Sequence, residues 1–213
     1  MKTRLLKTHI YRLYLVTDEN QDNATLSKVV KNAVAGGITA VQVREKSSNI
    51  TTFIERALLV KNILTNTNIP LIINDRVDVA LAVDADGVHL GQSDMPVTIA
   101  RKLLGPDKIL GLTVENMQQL EDAQKLPLNN IGISTIFATS TKSDTKHIWG
   151  LEGLKKAVQY SQIPLVAIGG INGSNISQVA QTQVAGIAIV SAITQAKNVK
   201  KAAEDLLAKI ISC

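Results

Sequence analysis

The sequence has few aromatic residues and a single cysteine, and these absences exclude several classes of protein. Aromatic residues make up only 3% of the 213 residues, which leaves few side chains on which nucleic-acid bases could stack. The lone cysteine, Cys213, cannot form an internal disulfide, so nothing requires an oxidising compartment. No apolar run is long enough to span a membrane, and the basic start lacks a signal-peptide pattern. We therefore expect a cytoplasmic protein that binds neither nucleic acid nor membrane.

The positive charge that is present fits small anionic partners better than a polyanion. The formal net charge is +5, but the lysines and arginines are scattered along the chain instead of forming a basic stripe. Two or three well-placed cations are enough to bind a phosphorylated metabolite. We therefore expect phosphorylated small-molecule substrates, and the sequence leaves open whether the protein forms a homo-oligomer.

Short runs rich in Val, Ile and Leu alternate with segments of helical spacing from one end of the chain to the other. No break in composition resembles a domain linker, which predicts one domain over residues 1–213. Residues 1–11 are expected to be a mobile extension. Eight strands are predicted, at residues 12–18, 40–46, 70–75, 87–92, 109–114, 130–135, 164–170 and 186–192.

Strands that alternate with helices indicate an α/β protein with a parallel sheet, and eight such units permit closure into a (β/α)₈ TIM barrel. A doubly wound open sheet is the structural alternative. Its Gly-rich turn after the first strand is missing, because YLVTDENQDN contains no glycine. The single-domain barrel is therefore favoured.

The clearest helix is predicted over NITTFIERALLVKNILTN, residues 49–66. One apolar stripe is formed by Ile50, Phe53, Ile54, Ala57, Leu58 and Leu64. The charged residues Glu55, Arg56 and Lys61 lie away from this stripe, as is typical of the solvent-facing side of an amphipathic helix.

Polar residues collect where the second, third and fourth predicted strands end, which is the edge where such barrels carry their active sites. Strand alternation sends Gln42, Arg44 and Lys46 to one side, and two cations so placed predict an anion. The alternative is that Arg44 belongs to a surface ion pair.

Asp75 and Asp94 follow adjacent strands, where their carboxylates could converge on one Mg²⁺ completed by water and substrate oxygens. Either aspartate taken alone is more typical of a turn or a helix cap. Together with Arg44, Lys46 and Lys142, the pair would suit a pyrophosphate leaving group. We therefore interpret these three cations as catalytic and infer that Asn74 and Asp75 face a ligand.

A second anion site is predicted at the ends of strands seven and eight, the usual phosphate position in these barrels. It would be formed by Gly169 and Gly170 with Val190 and Ser191. Simple turn geometry is the alternative for the two glycines. His89, on the fourth strand, is more typical of a hydrogen-bonded core histidine than of a ligand.

Taken in order, six segments resemble the thiamine-phosphate synthase family. They are QVREK (42–46), IINDR (72–76), DGVHLGQSD (86–94), TSTK (139–142), GGI (169–171) and VSAI (190–193). The resemblance extends over essentially the whole chain. It implies a (β/α)₈ barrel that joins 4-amino-5-hydroxymethyl-2-methylpyrimidine diphosphate to 4-methyl-5-(2-phosphoethyl)thiazole with Mg²⁺, or to the carboxylated thiazole phosphate that some members use.

The resemblance also implies a role for individual residues, with Asp75 and Asp94 as the Mg²⁺ ligands. The pyrimidine diphosphate would be bound by Gln42, Val43, Arg44, Glu45, Lys46, Asn74 and Lys142. The thiazole phosphate would be bound by Thr139, Ser140, Thr141, Gly170, Val190 and Ser191. Loss of diphosphate would leave a pyrimidine cation that the thiazole nitrogen attacks, so no general base is required.

The chain departs from the family pattern at three places. Thr113 stands where the family usually has serine and must offer the hydroxyl, Ala138 replaces a frequent proline, and GISTI (132–136) replaces a glycine-proline version. Three other functions remain open: a thiazole tautomerase, a Schiff-base aldolase using Lys46 or Lys142, and a non-catalytic barrel that binds a phosphorylated metabolite.

Overall fold

The computed structural model describes residues 9–139 and 148–213, which form a closed barrel of eight parallel strands. The strands are neighbours in chain order, and the last pairs with the first through Tyr14 and Ala188. Both the barrel and all eight predicted strands are confirmed. The strands are β1 (Leu13–Val16), β2 (Ala40–Val43), β3 (Leu71–Asn74), β4 (Gly87–Leu90), β5 (Ile109–Val114), β6 (Asn130–Ser134), β7 (Leu165–Ile168) and β8 (Gly186–Ile189).

Each strand is followed by a helix, and a further long helix follows the eighth unit. The helices are α1 (Asn23–Ala35), α2 (Ile50–Leu64), α3 (Val77–Ala82), α4 (Val97–Leu104), α5 (Met117–Ala123), α6 (Gly150–Tyr160), α7 (Ile176–Ala180), α8 (Ser191–Thr194) and α9 (Val199–Ile211). None of those in the described part of the chain combines the length and apolar character that a membrane span needs.

Side-chain caps fix where several helices begin. Asp22 accepts a hydrogen bond from the Thr25 amide at the start of α1, and Asn49 accepts one from Thr52 at the start of α2. Helix α3 has no side-chain cap and only six residues, and only two residues, Asp75 and Arg76, separate it from β3. The polar residues at the end of β3 are therefore held in a very short connection.

Strand alternation divides the core into two parts. Outward-facing residues such as Leu13, Leu15 and Val41 pack beneath the helices in the main apolar cluster. Inward-facing residues, including Tyr14 and Val16, form a smaller cluster inside the barrel. Because most strands have only four residues, each offers about two positions to the interior.

The amino end of the barrel is covered by a 3₁₀ turn, His9–Tyr11, in which Tyr11 is buried. Of the segment 1–11 that was expected to be a mobile extension, residues 9–11 form this turn, and residues 1–8 lie outside the described residues. Tyr11 packs so closely against Gly186 that a Cβ on that glycine would lie 2.2 Å from the Tyr11 carbonyl oxygen.

The predicted faces of helix α2 need correction. Phe53 and Ala57 are buried as expected, but Ile50 and Leu58 are 44% and 42% exposed. Arg56, expected on the solvent-facing side, is buried at 4% exposure. Arg56 is buried because it forms an ion pair with Glu45. Glu45 lies outside α2, so the pattern of residues within the helix does not reveal this partner.

We expect Gly87→Ala to destabilise the barrel, because the new Cβ would lie 2.2 Å from the backbone carbonyl oxygen of Ile109 on the adjacent strand. Overpacking of this kind typically costs about 1–3 kcal/mol. Gly153→Ala, inside α6, is the matched control: its Cβ would make ordinary 3.4 Å contacts with Trp149, the residue before that helix, and alanine should stabilise α6 by roughly 0.5–1 kcal/mol. Urea unfolding measures both changes. Equal unfolding free energies for the two variants would contradict the close strand contact.

Candidate active site

The carboxyl ends of the strands surround one open cavity whose two sides differ in chemistry. The polar and charged side belongs to strands β2 to β5 and the loops that follow them; it is lined by Gln42, Arg44, Lys46, Asn74, Asp75, His89 and Thr113. The apolar side belongs to β1, β7 and β8 and the loop after β7; it is lined by Val16, Val166, Ile168, Ile171 and Ala188. The cavity can thus hold an anionic group against one wall and an apolar ring against the other.

Alternation along β2 decides which of its side chains reach this cavity. Gln42 faces the interior, where its Nε2 donates to the Tyr14 hydroxyl at 2.9 Å. Burial raises the pKa of Tyr14, so this phenol stays protonated over the pH range in which proteins are folded. Arg44 and Lys46 lie beyond the end of β2 but keep the same side as Gln42, and all three line the cavity.

Lys46, Asp75 and Asp94 form the most highly charged part of the site. The Lys46 ammonium pairs with the Asp75 carboxylate, and the Asp94 carboxyl is close enough to Asp75 to interact with it. Burial raises the pKa of Asp75; the Lys46 hydrogen bond lowers it, and the neighbouring Asp94 carboxyl raises it. The net shift of the Asp75 pKa is upward, so the Lys46 ammonium does not fully offset the effects of burial and of the Asp94 carboxyl.

The backbone holds Asp75 where its carboxylate can meet Asp94. Asp75 has a φ of 62°, in the left-handed region that aspartate tolerates better than most residues. Its amide donates to the His89 carbonyl oxygen at 2.8 Å, which ties the end of β3 to β4. Asp94 in turn accepts a hydrogen bond from the Gly91 amide at 2.6 Å. The two carboxylates are thus anchored on adjacent strands.

This donor set fits a hard divalent cation that keeps part of its water shell. Two adjacent carboxylates whose mutual repulsion is incompletely offset are the ligands that Mg²⁺ prefers, with water and phosphate oxygens completing the octahedron. Among the residues that the structure describes, no group of three or more His, Cys, Asp or Glu side chains could hold a metal. A cation held entirely by such side chains therefore does not fit this part of the chain.

His89 is hydrogen-bonded inside the barrel, as the sequence interpretation expected, and it also lines the cavity. Its Nε2 lies 2.8 Å from the Thr113 hydroxyl. The ring has room because its neighbours on β5 and β6 are glycines: a Cβ on Gly111 would lie 2.4 Å from Nδ1, and one on Gly132 would lie 3.1 Å from Cε1. Burial lowers the pKa of His89 to about 4, so the imidazole is neutral near pH 7.

The predicted phosphate side of the cavity combines a glycine turn after β7 with the start of helix α8. Gly169 and Gly170 have φ values of 101° and 67°, which favour glycine. A Cβ on Gly170 would lie 2.6 Å from the Ala138 carbonyl oxygen, so the turn packs tightly against the loop after β6. Gly170, Val190 and Ser191 all line the cavity, as does Thr139.

The remaining predicted site residues have different positions. The side chain of Val43 is buried in the main core, and that of Glu45 is buried in an ion pair with Arg56, so neither lines the cavity. The reason is strand alternation, which turns odd-numbered positions here away from the interior. Asp94 reaches the site through Asp75 instead of lining the cavity itself. Ser140, Thr141 and Lys142 lie outside the described residues, as does most of the loop that contains them.

Several cavity residues were missed by the sequence analysis. They share an inward position on a strand, or the residue just after it, and are Tyr14, Val16, Ser134, Thr135, Val166, Ile168 and Ala188. The period-two pattern could have identified Tyr14 with Val16, and Val166 with Ile168, once the barrel was assumed. Thr135 carried no such signal; its buried hydroxyl has no hydrogen-bond partner among the described residues.

Comparison with known proteins gives consistent matches over the length of the barrel. The family model for thiamine monophosphate synthase matches residues 13–193. A thiamine-phosphate synthase from Vibrio campbellii is 64% identical over 197 residues, covering 92% of this chain and 97% of the relative. One from Ruminiclostridium cellulolyticum is 48% identical over 198 residues, covering 92% and 94% respectively.

Among solved structures, thiamine phosphate pyrophosphorylase from Pyrococcus furiosus is similar to this chain with a TM-score of 0.87. The two sequences are 36% identical, and the superposition covers 97% of this chain and 98% of the other. The likeness therefore includes the whole barrel and not only its site.

We expect the His89 imidazole to titrate near pH 4, because burial disfavours its charged form. Two-dimensional NMR of the ring protons, assigned with a His89→Gln variant, measures this directly. A ring that titrates at pH 6 or above would contradict the enclosed position between Gly111 and Gly132.

The same shift should make stability depend on pH. The folded pKa of about 4 lies below the unfolded value of 6.5, so between these values the unfolded chain binds more protons. The free energy of unfolding should then fall as pH decreases through this window, by roughly 3 kcal/mol in total from this group. The difference between wild type and His89→Gln, measured by urea unfolding at several pH values, isolates this contribution from those of the carboxylates.

Proposed function

The chain belongs to the thiamine-phosphate synthase family and is a transferase, and from this premise we propose that it joins 4-amino-5-hydroxymethyl-2-methylpyrimidine diphosphate to 4-methyl-5-(2-phosphoethyl)thiazole or its carboxylate. The products are thiamine phosphate and inorganic diphosphate. These substrates follow from the family resemblance, and the chemistry of the cavity supports them.

One observation carries the proposal: Arg44 and Lys46 share a wall of the cavity with Asp75, and Asp94 lies beside it, while the opposite wall is apolar. A diphosphate needs several fixed cations, and a thiazole ring needs an apolar surface. The phosphate of the thiazole would then reach Gly170 and Ser191, which follow strands β7 and β8.

The reaction requires little of the protein beyond charge and position. The bond between the pyrimidine methylene carbon and the diphosphate oxygen breaks, and its electron pair leaves with the diphosphate. The thiazole nitrogen then uses its lone pair to form the new carbon–nitrogen bond, which leaves a thiazolium. No proton is removed in this step, which agrees with a cavity wall on which His89, with its pKa lowered to about 4 by burial, is a weak base.

The residues of the polar wall have distinct parts in this proposal. Arg44 and Lys46 stabilise the charge that develops on the departing diphosphate, and Lys142 would join them on the family's pattern. Gln42, oriented by Tyr14, and Asn74 offer amide groups to the pyrimidine. Asp75 and Asp94 would hold Mg²⁺, which when bound supplies further neutralisation of the diphosphate.

The aldolase alternative is disfavoured by the surroundings of Lys46. A Schiff-base lysine needs a desolvated, neutral amine. The Lys46 side chain is instead 48% exposed and ion-paired with Asp75. Such an ammonium is suited to binding an anion.

We expect the purified protein to form thiamine phosphate only when both phosphorylated substrates and Mg²⁺ are present. Chromatographic detection of thiamine phosphate, with each component omitted in turn, is the measurement. Product formation without a divalent cation would remove the metal from the proposal. No product from the complete mixture, with either form of the thiazole, would count against the substrates.

Asp75→Asn should lower kcat by about 100-fold or more, because it removes one of the two carboxylates proposed to hold the cation. Asparagine also tolerates a φ of 62°, so the backbone should be preserved. The Mg²⁺ concentration for half-maximal activity should rise as well.

Asp78→Asn is the matched control. Asp78 lies three residues away on α3, pairs with Arg76 at the surface, and does not line the cavity. Its variant should keep kcat within about twofold of wild type, as surface ion pairs contribute little. Similar losses in the two variants would indicate local disturbance and would reject the metal role.

A further inference from the structure

The loop after β2, residues 44–48, is held from behind by a buried ion pair. Arg56 on α2 donates from Nε to a Glu45 carboxylate oxygen at 2.6 Å, and the two side chains are only 5% and 0% exposed. The other Glu45 oxygen accepts a hydrogen bond from the Ser48 hydroxyl at 2.6 Å. The back of the loop that carries Arg44 and Lys46 is thereby fixed to α2.

The same guanidinium also binds the loop after β1. Its Nη1 donates to the Gln21 carbonyl oxygen at 2.6 Å and lies 3.3 Å from the Asn23 side-chain oxygen, while Nη2 lies 3.4 Å from the Asp18 carbonyl oxygen. The planar fork of an arginine can serve several acceptors at once, which lysine cannot do. Arg56 thus joins two loops at the barrel rim.

Glu19, carried by the loop after β1, holds the front of residues 44–48. Its carboxylate accepts from the amides of Lys46 and Ser47, each at 2.9 Å, and from the Ser47 hydroxyl at 2.7 Å. It also pairs with Arg44 at 3.3 Å. The contacts therefore run from Arg56 through both loops to the backbone of Lys46 and the side chain of Arg44.

We propose that Arg56, acting with Glu45, is a positioning residue that fixes Arg44 and Lys46 for binding the diphosphate. Arg56 does not line the cavity. This inference rests on the proposed function, because it assigns the diphosphate to these two cations. Misplacing a binding group by about 1 Å can weaken catalysis by 10²-fold, so a device that fixes the loop has a direct effect on the site.

A purely stabilising role explains the network less well. Buried ion pairs contribute little net stability compared with apolar side chains of similar size, because both charges must be desolvated. What an apolar pair cannot reproduce is the set of directed contacts from one guanidinium to Glu45 and to the carbonyl oxygens of Asp18 and Gln21. The ion pair therefore serves mainly to fix the geometry of the loops after β1 and β2.

The test uses the double variant Glu45→Gln/Arg56→Met, since Arg56→Met alone would leave a buried carboxylate without its partner. Calorimetry with inorganic pyrophosphate and Mg²⁺ should show a dissociation constant raised about tenfold or more, as expected for misplaced cations. In steady-state assays the KM for the pyrimidine diphosphate should rise to a similar extent, whereas the KM for the thiazole phosphate should change less than about twofold.

Arg101→Met provides the matched control at the opposite end of the barrel. Arg101 likewise donates to a cluster of oxygens, including the carbonyls of Gly105 and Lys108 and the side chain of Asn129. This variant should lower the thermal midpoint at least as much as the double variant does, yet bind pyrophosphate like wild type. A second variant, Arg56→Lys, keeps the charge without the fork and should also weaken pyrophosphate binding.

The outcomes separate this inference from the proposed function. Unchanged pyrophosphate binding in the double variant, or equal weakening in Arg101→Met, overturns the positioning role. Equal increases in both KM values also overturn it, because they indicate general disturbance. If wild type binds pyrophosphate through this loop but makes no thiamine phosphate, the proposed substrates fail while the role of Arg56 stands.

Discussion

The alternation of side chains along very short strands is the constraint on which the site depends. Most strands have about four residues. If the pairing of β2 shifted by one residue, the Gln42 side chain would point into the core beneath the helices and the Val43 side chain into the cavity. Arg44 and Lys46 follow the end of β2, where pairing with a neighbouring strand no longer fixes the backbone, yet both line the cavity on the same side as Gln42. The contacts of Glu19 and Arg56 hold the loop there, so the site's geometry is set partly by the sheet and partly by charges packed behind it.

Each cation of the polar wall already has an anionic partner within the protein. Arg44 pairs with Glu19, and Lys46 pairs with Asp75. Both pairs are partly exposed, so each contributes modestly to stability and can be exchanged for a ligand at low cost. The Asp75–Asp94 pair is the opposite case, because it carries excess negative charge in a partly buried position. A bound cation and a bound diphosphate would therefore balance one another's charge at this rim.

Much of the architecture could be predicted from the sequence, because buried parallel strands produce continuous apolar runs and the polar residues that follow them stand out. Residues whose environment is set by distant segments could not be placed in this way. Arg56 is buried because Glu45, eleven positions earlier, needs a partner, while Ile50 and Leu58 are left exposed where the helical pattern indicated burial. The space that His89 occupies could not be predicted, because one strand does not reveal the glycines of the neighbouring strands.

The imidazole of His89 fits inside the barrel because β5 and β6 carry glycines, without side chains, beside it. Gly111 and Gly132 leave space that His89 fills, and a methyl group at Gly111 would collide with the ring. The identities of these three positions are therefore coupled by sterics. In a homologue with a side chain at position 111, a smaller residue must replace the histidine at position 89. Thr113 would then need another hydrogen-bond partner. Substitutions at this level of the interior should thus occur as sets rather than singly.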